Sequence, residues 1–222
     1  KRRQHEKLDG LIAIAQWQLA DIPEKLLGHT AQIDNWTVDN PADAVKRKAM
    51  RDQYGIKPTD ILIGALGRAV DSKGFDILIK AYKQANIPNT KLAIIGNGNA
   101  WKNLKTMAGP DIIMPGFCST PADWLAAFDV FISSARTEPF GLVFLEAMNS
   151  GLPIIATASQ GAQHLHHLIQ TPLVPVDDAD AMRMALESFC RHPVARMQYD
   201  LSRYRIEQKA LEIEEFYSGL MI

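Results

Sequence analysis

Brief, almost wholly apolar runs alternate with amphipathic ones along most of this chain. Ile61–Leu66, Leu92–Ile95, Ile112–Met114, Val130–Ser133, Ile154–Ala156 and Leu173–Val176 show little polar alternation. Strands buried on both faces lose the in-out alternation of half-exposed ones, so these read as strands of a parallel sheet covered by helices. Helical spacing fills the gaps. Residues 74–84 place Phe75, Leu78, Ile79 and Tyr82 on one stripe, and a further helix starts near Ala100. Helices follow over 123–128, over Leu142–Asn149 (stopped by Gly151 with Pro153 beyond), over 163–168, over Ala179–Arg191 and over 194–220. This alternation predicts an α/β fold, a doubly wound parallel sheet of the Rossmann-like kind.

The first forty residues differ. Leu11–Ala15 reads as one buried strand. Residues 30–36 and the polar stretch to Asn40-Pro41 read as a linker, and residues 43–53 as a charged helix. The predicted division is therefore 1–40, a strand and a linker, and 41–222, an α/β domain.

Composition narrows the function. The chain has 222 residues, 24 basic against 25 acidic, and 47% hydrophobic. That balance argues against nucleic acid as a partner, which selects for basic excess. Lys1-Arg2-Arg3 reads as a solvated end. Cys118 and Cys190 form no CxxC and fit a reducing compartment. No apolar run approaches the roughly 18–20 residues that cross a bilayer, and no signal-peptide pattern opens the chain. The expected location is cytoplasmic. Opening on Lys1, the chain is expected to be a piece of a longer protein.

In a doubly wound sheet ligands bind beyond the carboxyl ends of the strands. Candidate chemistry gathers there. After the strand at 130–133 come Arg136, Thr137 and Glu138, then a helix opening near Gly141. The amides of Phe140, Gly141, Leu142 and Val143 stand at the positive end of that helix, suited to a phosphate. Gly141 permits close backbone approach. Glu138 can hold hydroxyls of a neutral polyol, and Glu146 can chelate a vicinal diol such as a ribose. The plainer readings are an acid favoured by the dipole and a solvated helix residue. Spacing leaves these equal, and the apolar neighbours Phe144, Leu145 and Met148 favour a half-buried, functional Glu146. In the loop Gly67–Lys73, Arg68 follows a strand and Lys73 precedes a helix. Two cations there suit a diphosphate. The alternative is two surface charges partnered by Asp71 and Asp76.

Other patterns are weaker. Gly96-Asn97-Gly98 is a close-approach turn; Trp101 stands where GxGxxG needs its last glycine, which argues against a dinucleotide oxidoreductase. Asp178-Ala179-Asp180 has a DxD form, and capping of the helix it opens explains it better than a metal. His164, His166 and His167 lack i, i+4 spacing.

The segments GRAVDSKGFDILIKAY, LAIIGNGN, MPGFCSTPADWLAAFDVFISSARTEPFGLVFLEAMNSGLPIIATASQGA and ALEIEEFYSGL together resemble the C-terminal, donor-binding domain of a GT-B glycosyltransferase of the retaining family 4, the glycosyl transferases group 1, over residues 61–220. The Glu138-x7-Glu146 spacing with Gly67-Arg68 and Lys73-Gly74 upstream carries the match.

The resemblance implies a sugar moved from a nucleoside diphosphate to an acceptor with retention at the anomeric carbon. Arg68 and Lys73 would bind the diphosphate next to Gly67. Glu138 would hold the donor sugar and the amides of 140–143 sugar and phosphate. Glu146 would take the ribose, Met114 to Phe117 the base, and Gly96 and Gly98 the floor. No cofactor and no metal are implied. Partners would be a nucleotide sugar and a saccharide or glycolipid acceptor, the latter through an N-terminal domain of which residues 1–40 are the end. Peripheral membrane contact, at the inner face, would come through that half. The donor domain alone would be inactive. Lipopolysaccharide or another surface polysaccharide is the product class the family most often implies. There is one departure at the site: where the family has Gly-x-x-Glu, this chain has Gly161-Ala162-Gln163-His164. The usual glycine before the last strand is also replaced, around Thr171-Pro172. Alternatives are a non-catalytic nucleotide-sugar binding module and a purely structural domain.

Overall fold

Two short parallel strands come first, β1 (Leu11–Ala13) and β2 (Thr30–Gln32), with Leu11 opposite Thr30. The computed structural model describes residues 8–39 and 41–220; the basic start Lys1–Arg3 and Asn40 of the expected linker lie outside them. β1 stops two residues earlier than predicted, and β2 falls within the stretch read as a linker. Next comes α1 (Ala44–Gln53), where the Asp43 carboxylate accepts the Val45 and Lys46 amides at 2.8 and 3.1 Å. This is a standard N-cap that satisfies two orphan donors.

The main sheet follows: β3 (Ile61–Leu66), α2 (Phe75–Ala85), β4 (Thr90–Ile95), α3 (Trp101–Ala108), β5 (Ile113–Gly116), α4 (Pro121–Ala127), β6 (Val130–Ser133), α5 (Leu142–Asn149) and β7 (Ile154–Ala156). All five strands are parallel, in the order β5-β4-β3-β6-β7. The chain winds outward from β3 to β5, returns to β6 beside β3, and winds outward again. The strand order therefore reverses between β3 and β6, which is where this architecture leaves a crevice for ligands. The predicted α/β doubly wound sheet is what forms.

Both faces are apolar. Ile63, Ala65, Leu92 and Ile94 pack with Leu78 and Ile79 of α2, Leu104 of α3 and, from a later helix, Met182 and Leu186. Side chains alternate along a strand, so Leu62 and Gly64 face the other way. A Cβ on Gly64 would lie 2.1 Å from the Phe128 ring, so glycine here makes room for a large aromatic.

After β7 the predicted helix over 163–168 is two short ones, α6 (Gln160–His164) and α7 (His166–Ile169). The predicted strand Leu173–Val176 reduces to one bridge between Thr157 and Val174. The reason lies in its neighbours: Pro172 and Pro175 have no N–H to donate, so the ladder cannot extend. α8 (Ala179–Arg191) forms as predicted, capped by Asp178, whose carboxylate accepts the Ala181 amide at 2.8 Å.

The predicted helix 194–220 begins only at Ile206, as α9 (Ile206–Leu220). Residues 193–200 form no helix because other groups claim their hydrogen-bonding atoms. The Met197 amide donates to Gly151, the Tyr199 hydroxyl to Leu152, and the Arg196 guanidinium to Ala126 and Phe128 carbonyls.

The chain divides into two compact units, one from Asp39 to Tyr199, the other joining residues up to Val38 with those from Asp200 on. Residues 200–220, assigned from sequence to the donor domain, group with the N-terminal segment. Leu220 and Phe216 of α9 close over Gly10, where a Cβ would lie 2.7 and 2.9 Å from them, and the Thr37 amide donates to Tyr204 at 2.8 Å.

Candidate functional site

The candidate residues gather at the carboxyl ends of β3, β4, β5 and β6, on the loops there, in the first turns of α5 (Leu142, Val143, Glu146) and within β5 (Met114), and backbone hydrogen bonds tie the loops together. Ala69 donates to Asn97 at 3.0 Å, Ala100 to Ala69 at 2.9 Å, and Gly96 to Gly116 at 2.8 Å. Gly96, at φ +137°, has its missing Cβ 1.8 Å from the Gly67 carbonyl oxygen. The Gly98 Cβ would lie 2.4 Å from the Ala69 oxygen. These glycines let two strand-end loops touch, which makes the floor of the crevice.

Across the β3–β6 reversal, the segment 71–74 is stitched to the segment 134–138. Gly74 sits at φ +60° with its Cβ position 2.0 Å from the Ser134 oxygen, the Ser134 hydroxyl donates to the Lys73 carbonyl at 3.0 Å, and the Arg136 and Thr137 amides both donate to Ser72. Held this way, the Lys73 ammonium and the Glu138 carboxylate form a close hydrogen-bonded ion pair, with side chains 19% and 12% exposed. Their shielding from water makes the pair tighter than a surface salt bridge. Arg68 is exposed, and among the described residues no hydrogen bond or ion pair engages its guanidinium. It is a cation at liberty to meet an anion.

Asp71 and Asp76 partner neither Arg68 nor Lys73. Both go to Arg136, which stands in the sequence beside Glu138 with no role predicted for it. Its guanidinium takes the two Asp76 oxygens at 2.9 and 2.7 Å, the Asp71 carbonyl at 2.7 Å and Asp177 at 2.6 Å. The Arg136 hydrogen bond holds the Asp76 carboxyl below its ordinary pKa, and the same bond raises that of Arg136. The available signal was an arginine two positions before Glu138 with acids flanking Lys73.

The helix α5 opens at Gly141, φ +89°, with no side-chain cap. The amides of Leu142 and Val143 have no intrahelical acceptor. Leu142 is exposed, Gly141 buried and Val143 half-buried. The Phe140 ring is buried, 5.5 Å from the His164 ring. Glu146, one turn on, is half-buried, and that burial pushes its carboxyl pKa up. Gly161 donates to the Glu138 carbonyl at 2.6 Å, and its Cβ would lie 2.3 Å from the Phe140 oxygen. Gly161 therefore braces the loop carrying Glu138.

Met114 differs from its expected place. Its side chain is 4% exposed and packs in the core. The open side chain at that strand end is Phe117, 78% exposed. Among the described residues no helix is long and apolar enough to cross a membrane.

The fold is shared with a crystal structure of Anabaena Alr3699/HepE in complex with UDP and glucose (TM-score 0.86, 21% identity, 98% of this chain and 65% of that one). A sucrose-phosphate synthase from Thermosynechococcus elongatus is also similar (TM-score 0.80, 24% identity, 99% and 60%). Among curated relatives, the lipopolysaccharide core biosynthesis glycosyltransferase LpsE of Rhizobium meliloti is 30% identical over 166 residues, 72% of this chain and 44% of LpsE. A GDP-mannose-dependent phosphatidylinositol monomannoside mannosyltransferase of Mycolicibacterium smegmatis is 30% identical over 201 residues, 80% of this chain and 52% of that enzyme. The chain thus spans about half the length of these curated relatives. Residues 46–208 match the family described as glycosyl transferases group 1, and with its GT-B fold the chain belongs to that glycosyltransferase family.

Proposed function

We propose that this chain is the donor-binding part of a transferase that moves a hexose from a nucleoside diphosphate to an acceptor with retention of anomeric configuration. The observation that carries the reading is the Lys73–Glu138 pair at the strand-order reversal, with an unengaged Arg68 on the same loop as Lys73. In the proposed reaction the bond from the anomeric carbon to the diphosphate oxygen breaks. An acceptor hydroxyl oxygen bonds to that carbon on the same face, and its proton passes to the leaving diphosphate.

Each residue has a part. Arg68, Lys73 and the α5 amides stabilise the negative charge that builds on the diphosphate, without a metal. Glu138 holds sugar hydroxyls and orients Lys73. Glu146 takes the ribose diol, and Phe117 offers its exposed ring to the base. The acceptor, a saccharide or glycolipid, is bound by an N-terminal domain, at or near the cytoplasmic face of a membrane. The names of the R. meliloti and E. coli relatives, in lipopolysaccharide core and O-antigen synthesis, support surface polysaccharide as the product class.

Calorimetry with UDP, ADP, GDP and NAD, beside Arg68→Ala and Glu146→Ala, tests this. One nucleoside diphosphate should bind without added metal, NAD should not, and both variants should weaken binding. Failure of all three diphosphates to bind, in this chain and in the full-length protein, would overturn the reading.

A further inference from the structure

One residue of the β6–α5 loop grips both ends of the turn that carries Lys73. The Arg136 side chain takes the Asp71 carbonyl at one end and both Asp76 oxygens at the other. Its own amide donates to Ser72 at 2.9 Å, in the middle of the turn. Asp177, from the loop before α8, anchors Nε at 2.6 Å. Lys73 then reaches back to Glu138, two positions beyond Arg136. The links close a ring: Arg136 to Asp71 and Asp76, along the backbone to Lys73, across to Glu138, and along the backbone to Arg136.

Stability alone is a poor account of this ring. Asp71 and Asp177 have side chains 92% and 55% exposed, and such single exposed contacts contribute little to stability; the contact that holds the geometry is the two-pronged one to Asp76, whose side chain is 37% exposed against 21% for Arg136. A planar two-pronged contact does restrict geometry strongly. We propose that Arg136 is a positioning residue, which fixes the turn Asp71–Asp76 so that the Lys73 ammonium stands against Glu138 ready for a ligand's diphosphate. The inference rests on the donor-binding reading above for its ligand, and on geometry alone for its effect on Lys73.

The test pairs a spectroscopic signature with binding. A lysine ammonium held in a shielded ion pair exchanges protons slowly and is visible by ¹⁵N NMR; Lys73→Ala assigns it. Arg136→Ala should broaden that signal beyond detection while melting stays cooperative. It should weaken binding of the nucleoside diphosphate (UDP, ADP or GDP) roughly tenfold. Arg136→Lys, which keeps the charge and loses the fork, should behave like alanine. Asp76→Asn should shift both readouts the same way by less. A folded Arg136→Ala with an unchanged Lys73 signal overturns the proposal, as does absence of the signal in the wild type. If Arg136→Ala does not fold, Asp76→Asn decides; if neither folds, Arg136 is a stability residue and the proposal falls. If the wild type binds no nucleotide, the donor reading fails and the ammonium signal still decides the positioning role.

Discussion

Lys73 and Glu138, 65 positions apart, meet as an ion pair across the line where the strand order reverses, each largely shielded from water. Removing one partner leaves the other a shielded charge. Lys73→Ala should therefore cost about 1–3 kcal/mol of stability, read by chemical denaturation. Transfer by the full-length enzyme should fall about 10²–10³-fold. The double variant Lys73→Met/Glu138→Leu separates the two effects. It removes both charges, so stability should largely return while nucleotide binding, followed by calorimetry, stays weak. Full recovery of binding in the double variant would show that neither charge touches the ligand.

At the amino end of β6 a different charge cluster serves the fold alone. The Asp129 carboxylate pairs with Arg47 at 2.5 Å and Arg51 at 3.0 Å, and accepts the Leu62 amide at 2.7 Å. The same arginines cap the last carbonyls of α4, Arg47 reaching Ala127 at 2.7 Å and Arg51 at 3.1 Å. Arg51 is almost fully buried, so Asp129→Ala strands its charge. The expected loss is about 3–5 kcal/mol, with nucleotide affinity of the folded fraction unchanged. A denaturation curve and a titration on the same sample check both halves.

How much of this could be read from sequence depends on where the determining contacts lie. Strands such as Ile61–Leu66 and Val130–Ser133 carry their signal within a few residues, and both form where predicted. The strand at 173–176 failed because two prolines deny it donors, a local signal that its apolar content masked. The stretch 194–200 was expected to be helical, and hydrogen bonds to the distant carbonyls of Ala126, Phe128, Gly151 and Leu152 hold it out of a helix. Arg136 went unread for the same reason. Two of its acids, Asp71 and Asp76, lie 65 and 60 positions upstream and the third, Asp177, 41 positions downstream, so no local pattern joins them and the parallel pairing of β3 with β6 brings the first two within reach. The resemblance that puts Met114 to Phe117 at the base does not say which of these side chains faces out; that of Met114 lies in the core and that of Phe117 is open.

Two glycines with nearly the same backbone angle offer a controlled comparison. Gly55 and Gly74 sit at φ +63° and +60°. A Cβ on Gly55 meets nothing within 4 Å, whereas on Gly74 it meets the Ser134 carbonyl at 2.0 Å. Gly55→Ala should show left-handed strain alone, about 1–2 kcal/mol. Gly74→Ala adds a backbone clash, so its loss should exceed that of Gly55→Ala, with weaker nucleotide binding as the 71–74 and 134–138 segments separate. Equal losses by thermal melting would mean the two loops are free to part.

Glu146 links burial to pH in two opposing ways. Desolvation raises its pKa in the folded chain above the unfolded value, so the native state holds this proton more tightly. The carboxyl therefore favours folding fully at pH below its unfolded pKa of about 4.3. That contribution is lost as pH rises through the folded value. Relative to Glu146→Gln, the wild type should be less stable at neutral pH, and the two should converge below about pH 4. Ligand binding runs the other way. A ribose diol donates its hydroxyl protons best to the ionised form, so nucleotide affinity should rise as pH climbs through the raised pKa and level off above it. Glu146→Gln, unable to ionise, should lack that step. Denaturation and calorimetric titration across pH 4–8, on wild type and Glu146→Gln, read both slopes. A variant with the same pH-dependent affinity as the wild type would move the titrating group elsewhere and remove the ribose role from Glu146.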